Sequence, residues 1–114
     1  RLSLEDMQLA IGGAFGSLYV SLFEGFGVPP LEAMACGVPV ITSAVSSMPE
    51  ICGNAALLAQ PENVGDIAAK MKMLFNDATL RSNLIAQGLV QHKKYSWKET
   101  AELLWKSCER AMAQ

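Results

Sequence analysis

At 114 residues, 51% of them hydrophobic and 18% charged, the chain holds one domain's worth of material with enough apolar side chain for a single core, which excludes an intrinsically disordered segment. A net charge of -2, with no basic patch interleaved with aromatic residues, excludes nucleic acid as a partner. The uncharged stretches from Met7 to Phe23 and from Ala33 to Pro49 fall short of the roughly 20 apolar residues of a membrane span and are broken by Gly12, Gly13, Gly16, Gly37 and Pro39, so neither reads as transmembrane.

The opening Arg1-Leu2-Ser3-Leu4-Glu5-Asp6 lacks the basic region and long apolar run of a signal peptide, and reads as the cut end of a longer chain. Ser3 with Asp6 caps a first helix that runs to about Ile11. Three short apolar runs, Ser17 to Ser21, Val38 to Thr42 and Ala55 to Ala59, predict buried parallel strands, each being bounded by Gly, Pro or Ser. Between the first two, Pro30 suits a first helical position and Gly37 a left-handed stop, which predicts a helix of about two turns in a compact βαβ crossover. A short turn near Pro49 and Glu50 leads into the third strand. Asn63 caps a helix whose Val64, Ile67, Ala68, Met71, Leu74 and Phe75 recur at helical spacing and are assigned to the core. A further helix spans about Ala78 to His92. Ser96 and Glu99 form a capping box for the last, through about Met112, with Trp97, Ala101, Leu104, Trp105 and Cys108 at its apolar positions. The fold class is therefore α/β, with about three parallel strands and flanking helices: half of a doubly wound sheet, whose ligands sit at the carboxyl ends of the strands.

Cys36, Cys52 and Cys108 are odd in number and widely spaced, which fits buried thiols in a reducing compartment. His92 is the only histidine, so His and Cys cannot assemble an ordinary zinc site; beside Lys93 and Lys94 near a helix end it complements the helix dipole. Up to Ala69 the only basic residue is Arg1, set against Glu5, Asp6, Glu24, Glu32, Glu50, Glu62 and Asp66. An anionic ligand in this half would have to rely on backbone amides and a helix end.

The richest segment runs from Phe23 to Ile41, FEGFGVPPLEAMACGVPVI. Gly25 and Gly27 let the backbone approach a ligand closely, and the free N–H groups where the helix begins favour an anion such as a diphosphate. Glu24 stands before this turn and Glu32 is placed in the first helical turn. Carboxylates only accept hydrogen bonds, so two of them near one cavity suit hydroxyl-rich ligands such as ribose and hexose.

EGFG, LEAMACGVPVI and the later PE-x-x-G stand in the order and at the spacing of the E-x7-E signature, and the segment resembles the retaining GT-B glycosyltransferases, in particular glycosyltransferase family 4, or group 1. The likeness takes in nearly the whole chain, including NAALLAQPENVGDIA and KYSWKETA; Val20-Ser21 departs from the Pro-Ser usual before the signature loop. It implies that residues 1–114 are a fragment, the second half of a C-terminal nucleotide-sugar-binding, Rossmann-like domain. Glu24 would then be the catalytic glutamate close to the donor-sugar hydroxyls, and Glu32 would hydrogen-bond the ribose. Gly25, Phe26, Gly27, Val28 and Leu31 would complete the donor site, with the amides of Phe26, Gly27 and Val28 meeting sugar and diphosphate.

The resemblance also implies transfer, with retained anomeric configuration, from a UDP- or GDP-linked sugar, with no resident cofactor or metal. The acceptor would be the hydroxyl of a sugar, lipid or other molecule held by a missing N-terminal domain, in a cytoplasmic enzyme that is peripheral at the membrane if that acceptor is a lipid. Glycogen-synthase-like and sucrose-synthase-like enzymes, or a non-catalytic sugar-nucleotide-binding module, are the alternatives. The isolated fragment is expected to be inactive and, with a cut sheet edge and an apolar last helix, to self-associate.

Overall fold

In the computed structural model, which describes residues 2–114, the strand Val40–Ser43 (β2) is buried at every position and lies between two parallel neighbours. Its β-branched Val, Ile and Thr suit a strand covered on both faces. On one side Ser17–Tyr19 (β1) pairs with it, Ser17 opposite Val40 and Tyr19 opposite Thr42. On the other, Ala56–Ala59 (β3) runs from Val40 opposite Ala56 to Ser43 opposite Ala59. Successive residues of a strand face opposite ways, so β2 sorts the core into two layers. Val40 belongs with Leu31, Met34, Val38, Ile51 and Cys52, whereas Ile41 belongs with Ala59, Leu74 and Leu84.

The helices are Leu4–Gly12 (α1), Val28–Ala35 (α2), Met48–Cys52 (α3), Val64–Asn76 (α4), Ala78–Gln91 (α5) and Trp97–Met112 (α6). Their starts follow side-chain chemistry: Ser3 Oγ accepts from Asp6 N–H at 3.1 Å, Asn63 Oδ1 from Asp66 N–H at 3.0 Å and Asp77 Oδ1 from Leu80 N–H at 2.8 Å. Ser96 Oγ likewise accepts from Glu99 N–H at 3.1 Å, one half of the expected capping box.

Four expectations need correction. Helix α2 begins at Val28, two residues before Pro30, because Gly27 takes the cap position with φ 117° and feeds the chain into the helix ahead of both prolines. Glu32 consequently falls in the second turn. On α4 only Leu74 is buried and Ile67 half-buried, while Val64, Ala68, Met71 and Phe75 are exposed. The helix meets the sheet along one narrow stripe, and its remaining apolar surface opens beside the free edge of β1, where Phe15 packs on Phe75 with centroids 5.8 Å apart and the Arg81 guanidinium lies 4.7 Å over Phe15.

The third correction concerns α6, none of whose residues is buried; Trp97, Leu104 and Trp105 all face outward. The fourth concerns the cysteines: Cys52 is buried, but Cys36 and Cys108 are exposed. Burial pushes the Cys52 thiol up to about 11, so at neutral pH it is neither accessible nor ionised. Ellman's reagent should therefore titrate Cys36 and Cys108 in the native chain and reach Cys52 only after denaturant is added. Rapid reaction of all three thiols without denaturant would contradict this packing.

No helix among the described residues is long and apolar enough to cross a membrane.

Candidate functional site

Two loops leave the carboxyl edge of the sheet side by side, residues 20–27 after β1 and residues 44–47 after β2. Buried Thr42 ties the end of β1 to its neighbour, Oγ1 donating to Tyr19 O at 2.8 Å. Beyond this point the chain has no sheet pairing, and side chains of the second loop satisfy the backbone of the first. Glu24 N–H donates to Ser46 Oγ at 3.1 Å. The Ser47 hydroxyl is shared between Glu24 O at 2.9 Å and Phe26 O at 2.8 Å. To offer its oxygen, Ser46 sits at φ 55°, the one positive φ outside glycine among the described residues.

Gly27 closes the first loop against the second. It is buried, and a Cβ there would run into Cε at the end of the fully buried Met48 side chain, which would have to repack. Together with the left-handed backbone, this restricts the position to glycine.

The carboxylate of Glu24 is half-buried, and one oxygen is doubly bonded: Oε1 accepts from Tyr19 Oη at 2.7 Å and from Ser21 Oγ at 2.8 Å. These donors, Tyr19 first, hold its carboxyl below the usual carboxylate range; in return the Glu24 hydrogen bond raises the Tyr19 phenol. Oε2 has no protein partner among the described residues. The same holds for the N–H groups of Phe26, Gly27 and Val28, and since Pro29 and Pro30 have no N–H these are the donors left at the start of α2. An ionised acceptor thus stands beside a short row of free donors, an arrangement able to hold hydroxyls at one end and an anion at the other.

The other expected residues lie further round. Gly25 is exposed in the turn, and Phe26 is exposed with its ring edge-on to Tyr95 at 5.4 Å. Leu31 belongs to the core, while Glu32 lies exposed on the outer face of α2. Glu32 lines a groove of about 610 Å³ with Phe26, Val28, Tyr95 and Trp97, and Glu24 is not among the groove's lining residues. The groove thus brings Glu32 together with Phe26 and Val28 but does not take in Glu24. No group of three His, Cys, Asp or Glu among those residues is placed to hold a metal ion.

Sequence reasoning missed Tyr19, Ser21, Ser46 and Ser47 as parts of this site. Tyr19 reads as a strand residue, and only the return of the loop gives its hydroxyl a partner. Ser46-Ser47, three residues beyond a buried strand, was the available signal, since neighbouring hydroxyls in such a loop often satisfy its backbone.

The family described as "Glycosyl transferases group 1" matches residues 13–90, which include both loops and the whole sheet. The chain belongs to this family. It is 44% identical over 94 residues to the O-antigen chain mannosyltransferase B of Escherichia coli, a match covering 82% of this chain and 25% of that protein. It is 29% identical over 117 residues to the MMP alpha-(1->4)-mannosyltransferase of Mycolicibacterium hassiacum, covering 99% of this chain and 28% of that one. Among solved structures it resembles the sucrose-phosphate synthase of Thermosynechococcus elongatus with TM-score 0.83 and 25% identity, over 99% of this chain and 29% of that one. The three parallel strands and flanking helices thus match the C-terminal domain of a GT-B glycosyltransferase. The chain spans about a quarter of the length of these group 1 relatives.

The strap between the two loops can be tested through its strained member. Ser46→Ala loses the hydroxyl and keeps the left-handed backbone, whereas Ser46→Gly loses the hydroxyl and relieves the strain, so the alanine variant should unfold in urea with about 1 kcal/mol less stability than the glycine variant. In both, the Glu24 amide should exchange faster with solvent. Wild-type exchange at Glu24 in the alanine variant would show that Ser46 does not hold the loop.

Proposed function

We propose that this chain supplies part of the donor site of a retaining glycosyltransferase, which moves a hexose from a nucleoside-diphosphate sugar to an acceptor hydroxyl bound by the rest of the protein. The observation that carries the reading is the ionised Glu24, with one oxygen unengaged, next to the free N–H groups of Phe26, Gly27 and Val28. In the E-x7-E reading Glu24 accepts from hydroxyls of the sugar that is transferred, and Glu32 accepts from the ribose. The amides and the start of α2 receive charge that develops on the departing diphosphate, and the acceptor attacks the face this group leaves. Leu31 supports α2 from within the core, and Gly25 and Gly27 keep the approach open.

The chain's cations are concentrated from Lys70 onward, so the leaving group requires further cationic partners from the remainder of the enzyme. This half-domain would then be insufficient alone. Mannose is the first sugar to try, because two relatives are named mannosyltransferases; the likeness to a sucrose-phosphate synthase favours a glucosyl donor as the second reading. A screen of the full-length protein with GDP-mannose and UDP-glucose distinguishes them.

With the productive donor in hand, Glu24→Gln should lower kcat by roughly 10²-fold or more, since the lost interaction involves the reacting sugar, whereas Glu32→Gln should chiefly raise KM for the donor. Small and equal effects of the two substitutions on kcat/KM would refute the roles assigned.

A further inference from the structure

Glu24 receives two hydroxyl donors on a single oxygen, an expensive commitment of polar groups for a half-buried side chain. Tyr19 Oη reaches Oε1 at 2.7 Å from the last residue of β1, and Ser21 Oγ reaches it at 2.8 Å from the loop. Tyr19 is anchored independently of the carboxylate it touches, its backbone carbonyl accepting from buried Thr42 at 2.8 Å, and Ser21 follows two residues later. On the far side the backbone of Glu24 is gripped through its N–H by Ser46 and through its carbonyl by Ser47. The main chain and one carboxylate oxygen are thereby fixed, so the carboxyl plane has little freedom to turn and Oε2 presents in one direction.

We propose that Tyr19 and Ser21 are positioning residues of the transfer reaction, which lock the Glu24 carboxylate through Oε1 so that Oε2 is left to meet a hydroxyl of the donor sugar. The assignment rests on the donor-site reading of Glu24. A carboxylate aligned before substrate arrives loses less freedom when the transition state forms than one that must be oriented from a mobile state. The same two hydrogen bonds favour the charged carboxylate, the form in which both oxygens only accept, and no charged side chain contributes to that preference. Tyr19 and Ser21 are the groups that set it, and Ser46 and Ser47 touch only the backbone.

The decisive experiment combines a titration with a double-mutant cycle. Tyr19→Phe removes the hydroxyl and keeps the ring that occupies the strand end, so folding should survive, as circular dichroism would verify. Carboxyl NMR of this chain should show Glu24 titrating at higher pH in Tyr19→Phe than in wild type, a readout that needs no donor. In the full-length enzyme with GDP-mannose, or UDP-glucose if that is the productive donor, Tyr19→Phe and Ser21→Ala should each lower kcat about tenfold with donor KM changed less than about threefold. In a Glu24→Gln background, adding Tyr19→Phe should lower kcat by less than about twofold, because a residue that acts only through Glu24 has nothing left to position.

An unmoved Glu24 titration would overturn the proposal, as would a moved titration with unchanged kcat or a full tenfold loss in the Glu24→Gln background. A wild-type enzyme whose Glu24→Gln variant keeps full activity, while Tyr19→Phe still shifts the titration, would instead bring down the donor-site reading and with it the catalytic meaning of the lock.

Discussion

The contact between Gly27 and Met48 is the constraint on which the rest of the site depends. Met48 is wholly buried at the start of α3, and Gly27 passes its terminal methyl at φ 117°, a left-handed backbone that an L side chain rarely adopts. That passage sets where α2 begins, and the start of α2 determines which amides remain free. It also brings the first loop close enough to the second for Ser46 and Ser47 to take over its backbone groups. A larger residue at position 27 would therefore disturb cap, helix direction and loop spacing together. The loops stay ordered beyond the sheet's own hydrogen bonds because each supplies what the other's backbone lacks.

The electrostatics follow from the same geometry. The strands carry no charge, and the polar side chains of the loops after β1 and β2 are the Glu24 carboxylate and the hydroxyls of Ser21, Ser46 and Ser47, so these loops offer no cation and positive potential beside them comes from backbone N–H groups. Two prolines at the second and third positions of α2 narrow the donor set further, confining it to the residues next to Gly27. Glu24 is the one acidic residue of the loops after β1 and β2, and hydroxyl donors stabilise its charge. The one ion pair among the described residues, Lys70 to Asp66 at 4.0 Å, joins the first two turns of α4, where Asp66 also accepts from Gln60 N–H at 2.7 Å just beyond β3; as a surface pair it contributes little to stability.

The three strands, the helix starts at Ser3, Asn63 and Ser96, and the loop carrying Glu24 were legible in the sequence, because apolar runs and capping side chains are local signals. The start of α2 was not, since proline's preference for a first helical position pointed to Pro30 whereas the backbone of Gly27 decided the matter. Burial on α4 and α6 was misjudged for a different reason. Periodicity identifies which face of a helix is apolar but not whether anything covers it, and here Phe75, Trp97 and Trp105 remain outside. The hydroxyls of Ser46 and Ser47 were invisible because their partners lie across loops: Ser46 and Glu24 are 22 residues apart, and their contact depends on how β1 and β2 align; Tyr19 and Ser21 are near Glu24 in sequence, but only the return of the loop turns the carboxylate onto them.

The most direct test of the account is a crystal structure of the full-length enzyme with an intact, slowly transferred nucleotide-sugar analogue. The account predicts a sugar hydroxyl within hydrogen-bonding distance of Glu24 Oε2, the diphosphate against the amides of Phe26, Gly27 and Val28, and Tyr19 and Ser21 still on Oε1. A donor bound away from these amides, with Glu24 Oε2 facing only solvent, would contradict it.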